Sequence, residues 1–296
     1  MIESAKFTNV DGQVLVLNDD TNYPFHEFMT EVDVRQPDRN KSQQHGSWPG
    51  YTFLGKRLFH VRGAILADTS AEYWTKRLNF IKVFTPHPKL GHKKSGTLAI
   101  QYTGINEELT CECAIEGWPE VPIAGLSPSL SEFQLNLRAP DPKLYGPERN
   151  SFAAAPPVTD YGRTYNKTYD KAYPAANIQP ANLLITNSGN IETFPRFIIQ
   201  GHVVNPRLVL TRYDGAQLTV ALDGLTVTAT DFVVLDFLKR TAIMNNDIDV
   251  YSYATHSNWW ALEPTVNGVD NIVSYAGTDI QEGSKATIYW RNAYMI

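Results

Sequence analysis

The chain has 296 residues, of which 43% are hydrophobic and 19% charged. That is a globular composition with length for two ordinary domains or one large all-β domain, and it excludes a disordered chain. The net charge of −5 and the pI of about 5.8 leave no basic excess, which argues against a general nucleic-acid binder. No apolar run approaches the ~18 residues of a membrane span. Met1-Ile2-Glu3-Ser4 has neither a basic n-region nor an apolar h-region, so no signal peptide is expected. The two cysteines, Cys111 and Cys113, face the same side of a strand-like run and are poorly placed to bridge each other, so they read as small apolar residues beside a core.

Strand signals dominate. Phe7–Leu17 reads as a hairpin with Asp11-Gly12 as a two-residue turn, since glycine accepts positive φ. Glu31–Arg35 is a short strand, residues 38–50 a polar glycine-containing loop, and residues 51–67 an extended segment. One helix follows. Thr69 and Glu72 have capping-box spacing, and Trp74, Leu78 and Ile81 recur at i, i+4, i+7 as a stripe expected to pack on a sheet. Thr85-Pro86 ends it. Residues 98–102, 109–118 and 132–139 are further strands.

Residues 151–182 break the pattern with Pro156-Pro157, Pro174 and Pro180 and read as a linker or arm. Tyr161, Tyr165, Tyr169 and Tyr173 fall there at every fourth position. Two readings stand: a coincidence in a tyrosine-rich loop, or an arm that anchors on a neighbouring subunit. From Leu183 the chain is short strands at 183–187, 193–203, 206–212, 217–222, 225–229, 231–237, 248–254, 271–276 and 286–294. Asp214-Gly215, Asp223-Gly224 and Asn267-Gly268 punctuate them, the pattern of a β-sandwich.

Chemistry is sparse. Of seven histidines, His26, His45, His60, His202 and His256 are scattered. His87 and His92 sit five apart in a loop with no further ligands nearby to complete a zinc site. Nucleophile-elbow, Walker A, dinucleotide and zinc-protease motifs are absent. No catalytic, cofactor-binding or metal residue is expected, and no enzyme. Asn166-Lys167-Thr168 fits a glycosylation sequon, which means little without secretion. Trp259-Trp260, read as part of a strand, would send one ring into the core and the other to the opposite surface, to pack on a subunit or stack on a sugar.

Several segments in order resemble the phage distal tail (Dit) family along most of the chain. They are the N-terminal hairpin, the loop through Gly46 and Gly50, the strand with Arg57 and Arg62, the Thr69 helix, and Leu137–Gly146. In the second half they are Thr186-Asn187-Ser188-Gly189-Asn190 with Pro195, Ile199, Gly201 and Pro206. Val234-Leu235-Asp236-Phe237 with Arg240 follows, then Trp259-Trp260-Ala261-Leu262, Asn271-Ile272 and Ala286–Tyr294. One departure is the longer loop Pro264–Asn271 where the family tends to have Pro-Gly-x-Asn.

The resemblance implies a mainly β (β-rich α+β) chain. A β-rich belt domain with one helix spans 1–150, a linker or arm 151–182, and a galectin-like β-sandwich 183–296, whose last strands could return to the first domain. It implies a homo-hexameric ring in the virion tail tip, made in the host cytoplasm. The ring would join the tail tube protein to tail-associated and receptor-binding proteins. Nucleic acid would be met only in a central channel, and no membrane or cofactor is implied. Galectin-like names a shape and does not license sugar binding. The alternative is a carbohydrate-binding adhesion module, favoured by 6 Trp and 15 Tyr. A third class, a wall-degrading enzyme, lacks a visible constellation.

Overall fold

The structure is a computed structural model that describes residues 2–37, 39–40, 45, 47–48, 50–85, 95–122, 130–154, 181–254, 257–265, 268, 270–281 and 283–296. The chain divides into two compact units, one of residues 1–147 with 294–296 and one of residues 148–293.

The first unit contains β1 (Ile2–Thr8), β2 (Val14–Leu17), β3 (Phe25–Arg35), the two-residue β4 (Arg39–Asn40) and β5 (Ser47–Trp48), and β6 (Phe53–Leu66). After α1 (Ser70–Val83) come β7 (Ser95–Tyr102), β8 (Leu109–Ile115), β9 (Leu130–Ala139) and the start of β10 (Leu144–Ala154). Its main sheet is antiparallel in the order β3-β6-β9-β8-β7-β1-β2. Alternate residues of β6, β8 and β9 turn inward, so Phe59, Val61, Ile65, Leu109, Phe133, Leu135 and Leu137 are buried. Helix α1 closes this face with aromatic rings: Phe80 lies 4.7 Å from Phe133, and Phe84, at the helix end, lies 5.0 Å from Phe7. Each such ring contributes about 1.5–3 kcal/mol by leaving water.

The helix starts as the capping box predicts. Thr69 is extended at φ −132°, and its Oγ1 accepts from the Glu72 amide at 3.2 Å. The Glu72 carboxylate reaches one residue further back, to the Asp68 amide at 3.0 Å. The buried stripe differs from the predicted one. Tyr73, Phe80 and Val83 face the core, Trp74 and Leu78 are exposed, and Ile81 is only partly buried. The core-facing row runs Tyr73, Arg77, Phe80, Phe84. A cation stands in its middle, with its Nη2 donating to the Val121 carbonyl at 2.6 Å.

The first hairpin also differs in its turn. Gly12 donates to the Asn9 carbonyl and Asn9 donates to that of Gln13, so the loop has three residues, Val10-Asp11-Gly12. Only Gly12 takes positive φ (75°), whereas the two-residue turn needs both central residues there. Strand β3 begins at Phe25, six residues before the predicted start, because bulges between Phe25 and Glu27 and between Val32 and Val34 break its alternation.

Cys111 and Cys113 are both buried on β8 and unbridged. A hydrogen bond to Cys111, together with burial, pushes the Cys113 thiol well up. Ellman's reagent at pH 8 is therefore expected to leave both thiols unmodified in the folded chain and to titrate two after denaturation. Rapid native labelling would show that this strand opens.

The second unit carries the remainder of β10, then β11 (Ala181–Ile185), β12 (Arg196–Gln200), β13 (Val203–Val204), β14 (Arg207–Thr211), β15 (Gln217–Ala221) and β16 (Thr226–Val227). After these come β17 (Phe232–Asp236), β18 (Thr241–Met244), β19 (Ile248–Asp249), β20 (Asn271–Ala276), β21 (Asp279–Ile280) and β22 (Lys285–Tyr294). One sheet runs β19-β18-β17-β12-β22-β10, a second β11-β20-β14-β15, and a small third one β16-β13-β21. Phe197, Ile199, Val233, Leu235 and Ile288 of the first pack with Ile185, Leu208, Leu210, Val220 and Val273 of the second, so the strands enclose one sandwich core. Residues 248–254, read as one strand, are instead β19 followed by a 3-10 turn at Tyr251–Tyr253. The Asp249 carboxylate accepts from the Tyr251 amide at 2.8 Å and turns the chain out of the sheet.

Candidate functional surfaces

Unit 1 leaves both ends of its sheet unpaired. Among the described residues, β2 pairs only with β1 and β3 only with β6. The β6–β9 register begins at Arg57 opposite Ala139, so among the described residues positions 53–56 have β3 as their only ladder partner. The far end of β3 and β6 is thus a two-stranded ribbon, a form that is marginal in water by itself. Its apolar residues are open to solvent: Val34 is 56% exposed and Phe53 54%. On the other edge strand Val14 and Val16 are exposed, and Trp74 and Leu78 add an apolar face on α1. Unpaired, exposed apolar edges are what a monomeric protein avoids.

Arg57 stands where the ribbon leaves the sheet. Its side chain is fully buried, with Nε donating to the Pro142 carbonyl at 2.6 Å. Nη1 donates to the Ile296 carbonyl at 2.7 Å and to Thr30 Oγ1 at 3.1 Å, and Nη2 meets Met295 Sδ at 3.0 Å. Burial holds its guanidinium below the usual pKa. Arg62 is exposed by contrast and pairs with Glu27 at 3.1 Å.

In unit 2 the polar residues of the resemblance form a lock. Asn187, fully buried, donates to the carbonyls of Ile191 (2.9 Å) and Leu262 (3.3 Å) and accepts from the Gly189 amide at 3.1 Å. Asn292 accepts from the Ser188 amide, and Trp290 Nε1 donates to the Thr186 carbonyl at 3.1 Å. A Cβ on Gly189 would lie 1.8 Å from the Ala293 carbonyl oxygen, so only glycine lets the loop lie against β22. Asn271 bridges the Ile185 and Glu263 carbonyls.

The predicted tryptophan pair is placed differently. Trp259 and Trp260 lie outside any strand, and both meet Phe237, at 5.2 and 4.4 Å. Trp260 is buried, and Trp259 is half-buried and stacks on Tyr251 at 6.0 Å with planes 7° apart. A coil lets neighbouring side chains turn to the same core, which strand alternation forbids. His60 pairs with Asn136 and His202 with Asp279. His87, His92, His256, Gly46, Asn267, the sequon at 166–168 and the Tyr161–Tyr173 stripe lie outside the described residues. Among the described residues no group of three or more His, Cys, Asp or Glu gathers to hold a metal, and no helix is long and apolar enough to cross a membrane.

No family model matches the chain, and no curated protein matches it significantly. Among solved structures, the SPP1 Dit protein superposes with a TM-score of 0.61 over 98% of this chain and 98% of that one, at 15% identity. The fold is that of a Dit protein. The resemblance read from the sequence is borne out at the level of fold, including the mainly β class. A chain of the phage P2 baseplate in its activated conformation also aligns, at 11% identity over 99% of this chain and 98% of that one. Its TM-score of 0.45 is too loose to define a shared fold. The lock around Asn187 and the buried Arg57 both hold this fold together.

Proposed function

We propose that the chain is a structural, non-enzymatic phage tail-tip protein. Six copies close into a ring between the tail tube and the tip or receptor-binding apparatus. The fold shared with the SPP1 Dit protein, which is described as a paradigm of the hub adsorption apparatus in phages infecting Gram-positive bacteria, supports this reading. The observation that carries it is the pair of unlike free edges on unit 1. A closed ring is built from head-to-tail contacts, each copy offering two different patches. Here one patch is β2 with Val14 and Val16, and the other is the β3–β6 ribbon with Val34 and Phe53. Strand addition between them would satisfy both edges and cover the apolar ribbon. A stable contact of this kind buries upwards of ~2,000 Å². Unit 2 would then be the part displayed to tip proteins.

Mass photometry tests the ring directly. The wild-type chain is expected at a closed oligomeric mass. The V14K/V16K chain and the V34K chain, each altered only at exposed positions, are expected to be monomers with an unchanged melting temperature. Mixed together, they retain one intact contact and should form heterodimers. Ring closure by either variant, or a mixture that stays monomeric, sinks this arrangement.

A further inference from the structure

We propose that a cavity of about 310 Å³ on unit 2, beside the β18–β19 turn, binds a neutral saccharide. Its volume is at the lower end of small-molecule sites, about 300–1,000 Å³. One wall is Tyr251, a residue 47% exposed whose ring is backed by the parallel ring of Trp259. A ring stacked on one face and open on the other is a rigid apolar platform for the C–H face of a sugar.

The polar lining decides the ligand class. Arg240, Asn246 and Asp247 border the cavity, and their side chains have no partner within the protein among the described residues. Together with Asp249 they offer donors and acceptors side by side. Hydroxyl groups are both donors and acceptors, so a polyol satisfies all of them at once. A phosphate would face two carboxylates, and a metal cation would face the Arg240 guanidinium. Ile243 and Thr241 form the floor from the outer side of β18.

The lining is also held in place. Asn245 and Asn246 both take positive φ (53° and 63°), and Asp247 donates to the Met244 carbonyl at 3.2 Å, closing a tight turn within the three-residue loop between Met244 and Ile248. Arg240 is itself in the left-handed region at φ 55°. Two of the five non-glycine residues with positive φ among the described residues, Arg240 and Asn246, therefore line this one cavity. A site fixed by its backbone binds without the entropic cost of ordering it. The site belongs to unit 2 and does not depend on ring closure, so its failure would leave the assembly reading intact.

Saturation-transfer difference NMR on the full chain, with methyl glycosides of glucose, galactose and N-acetylglucosamine and their disaccharides, provides the test. Transfer is expected from at least one sugar. Its affinity should fall at least about tenfold in Tyr251→Ala and in Asp247→Ala, and be kept in Tyr251→Phe, which retains the platform; tenfold is about 1.4 kcal/mol. Asp247 is exposed, so its loss leaves the fold standing. Lack of transfer from every sugar overturns the proposal, as does equal binding by the wild type and both alanine variants. A site protected only by calcium or inorganic phosphate overturns it too.

Discussion

Replacing Arg57 with alanine is expected to destabilise unit 1 by about 3–5 kcal/mol, the largest effect of any single substitution considered for this chain. Three of its donors tie together distant segments: they serve the Pro142 and Ile296 carbonyls and Thr30 Oγ1. Each lost hydrogen bond to the charged guanidinium costs about 1.5–3 kcal/mol, partly offset by water at the exposed Thr30 and Ile296, and the missing stem leaves a void under Phe59, over which the guanidinium lies at 6.0 Å. Arg57→Lys is expected to recover less than half of this, since an ammonium cannot fork between acceptors on three segments. Urea unfolding gives the magnitude. Hydrogen exchange should show residues 25–35, 57–62 and 139–144 opening together. A loss under ~1 kcal/mol would mean that water reaches the site and replaces the guanidinium.

The second large effect is expected at Asn187. Alanine there removes the fully buried side chain that serves the Ile191 carbonyl and the Gly189 amide, a cost of about 2–4 kcal/mol to unit 2. The Leu262 carbonyl keeps the Thr193 amide and suffers less. Asn187→Asp is expected to be as harmful: it preserves the acceptor for Gly189 but turns a carboxylate oxygen toward two carbonyls. Exchange should accelerate in residues 186–193 and 286–293 while unit 1 is unaffected. Even exchange across the chain, or a stable alanine variant, would contradict the lock.

Much of this fold was legible because local chemistry agreed with it. The Thr69 cap, the strand at 271–276 and the run of short strands after Leu183 follow from side-chain preference alone. The misses have physical causes. Arg77 sits within the helix's buried row, so apolar periodicity moved one residue over and picked out Trp74 and Leu78. Pro147 and Gly146 concealed β10, a strand that breaks the usual rule by continuing through both. Asp249 diverted a β-rich run into a turn that no pattern of Val, Ile and Tyr announces. The sites were less visible still. Neither the edges of unit 1 nor the Tyr251 cavity is a motif, since each exists only once distant segments are paired.

Residues 294–296 belong to the unit that begins the chain, with Tyr294 donating to Glu107 at 2.5 Å and Ile296 reached by Arg57 from 239 positions away. A ribosome releases those residues only after all of unit 2 has been made. The amino-terminal unit therefore gains the contacts around Arg57 and Glu107 only after the whole of unit 2 has left the ribosome, so its last internal braces form across the longest separation in sequence.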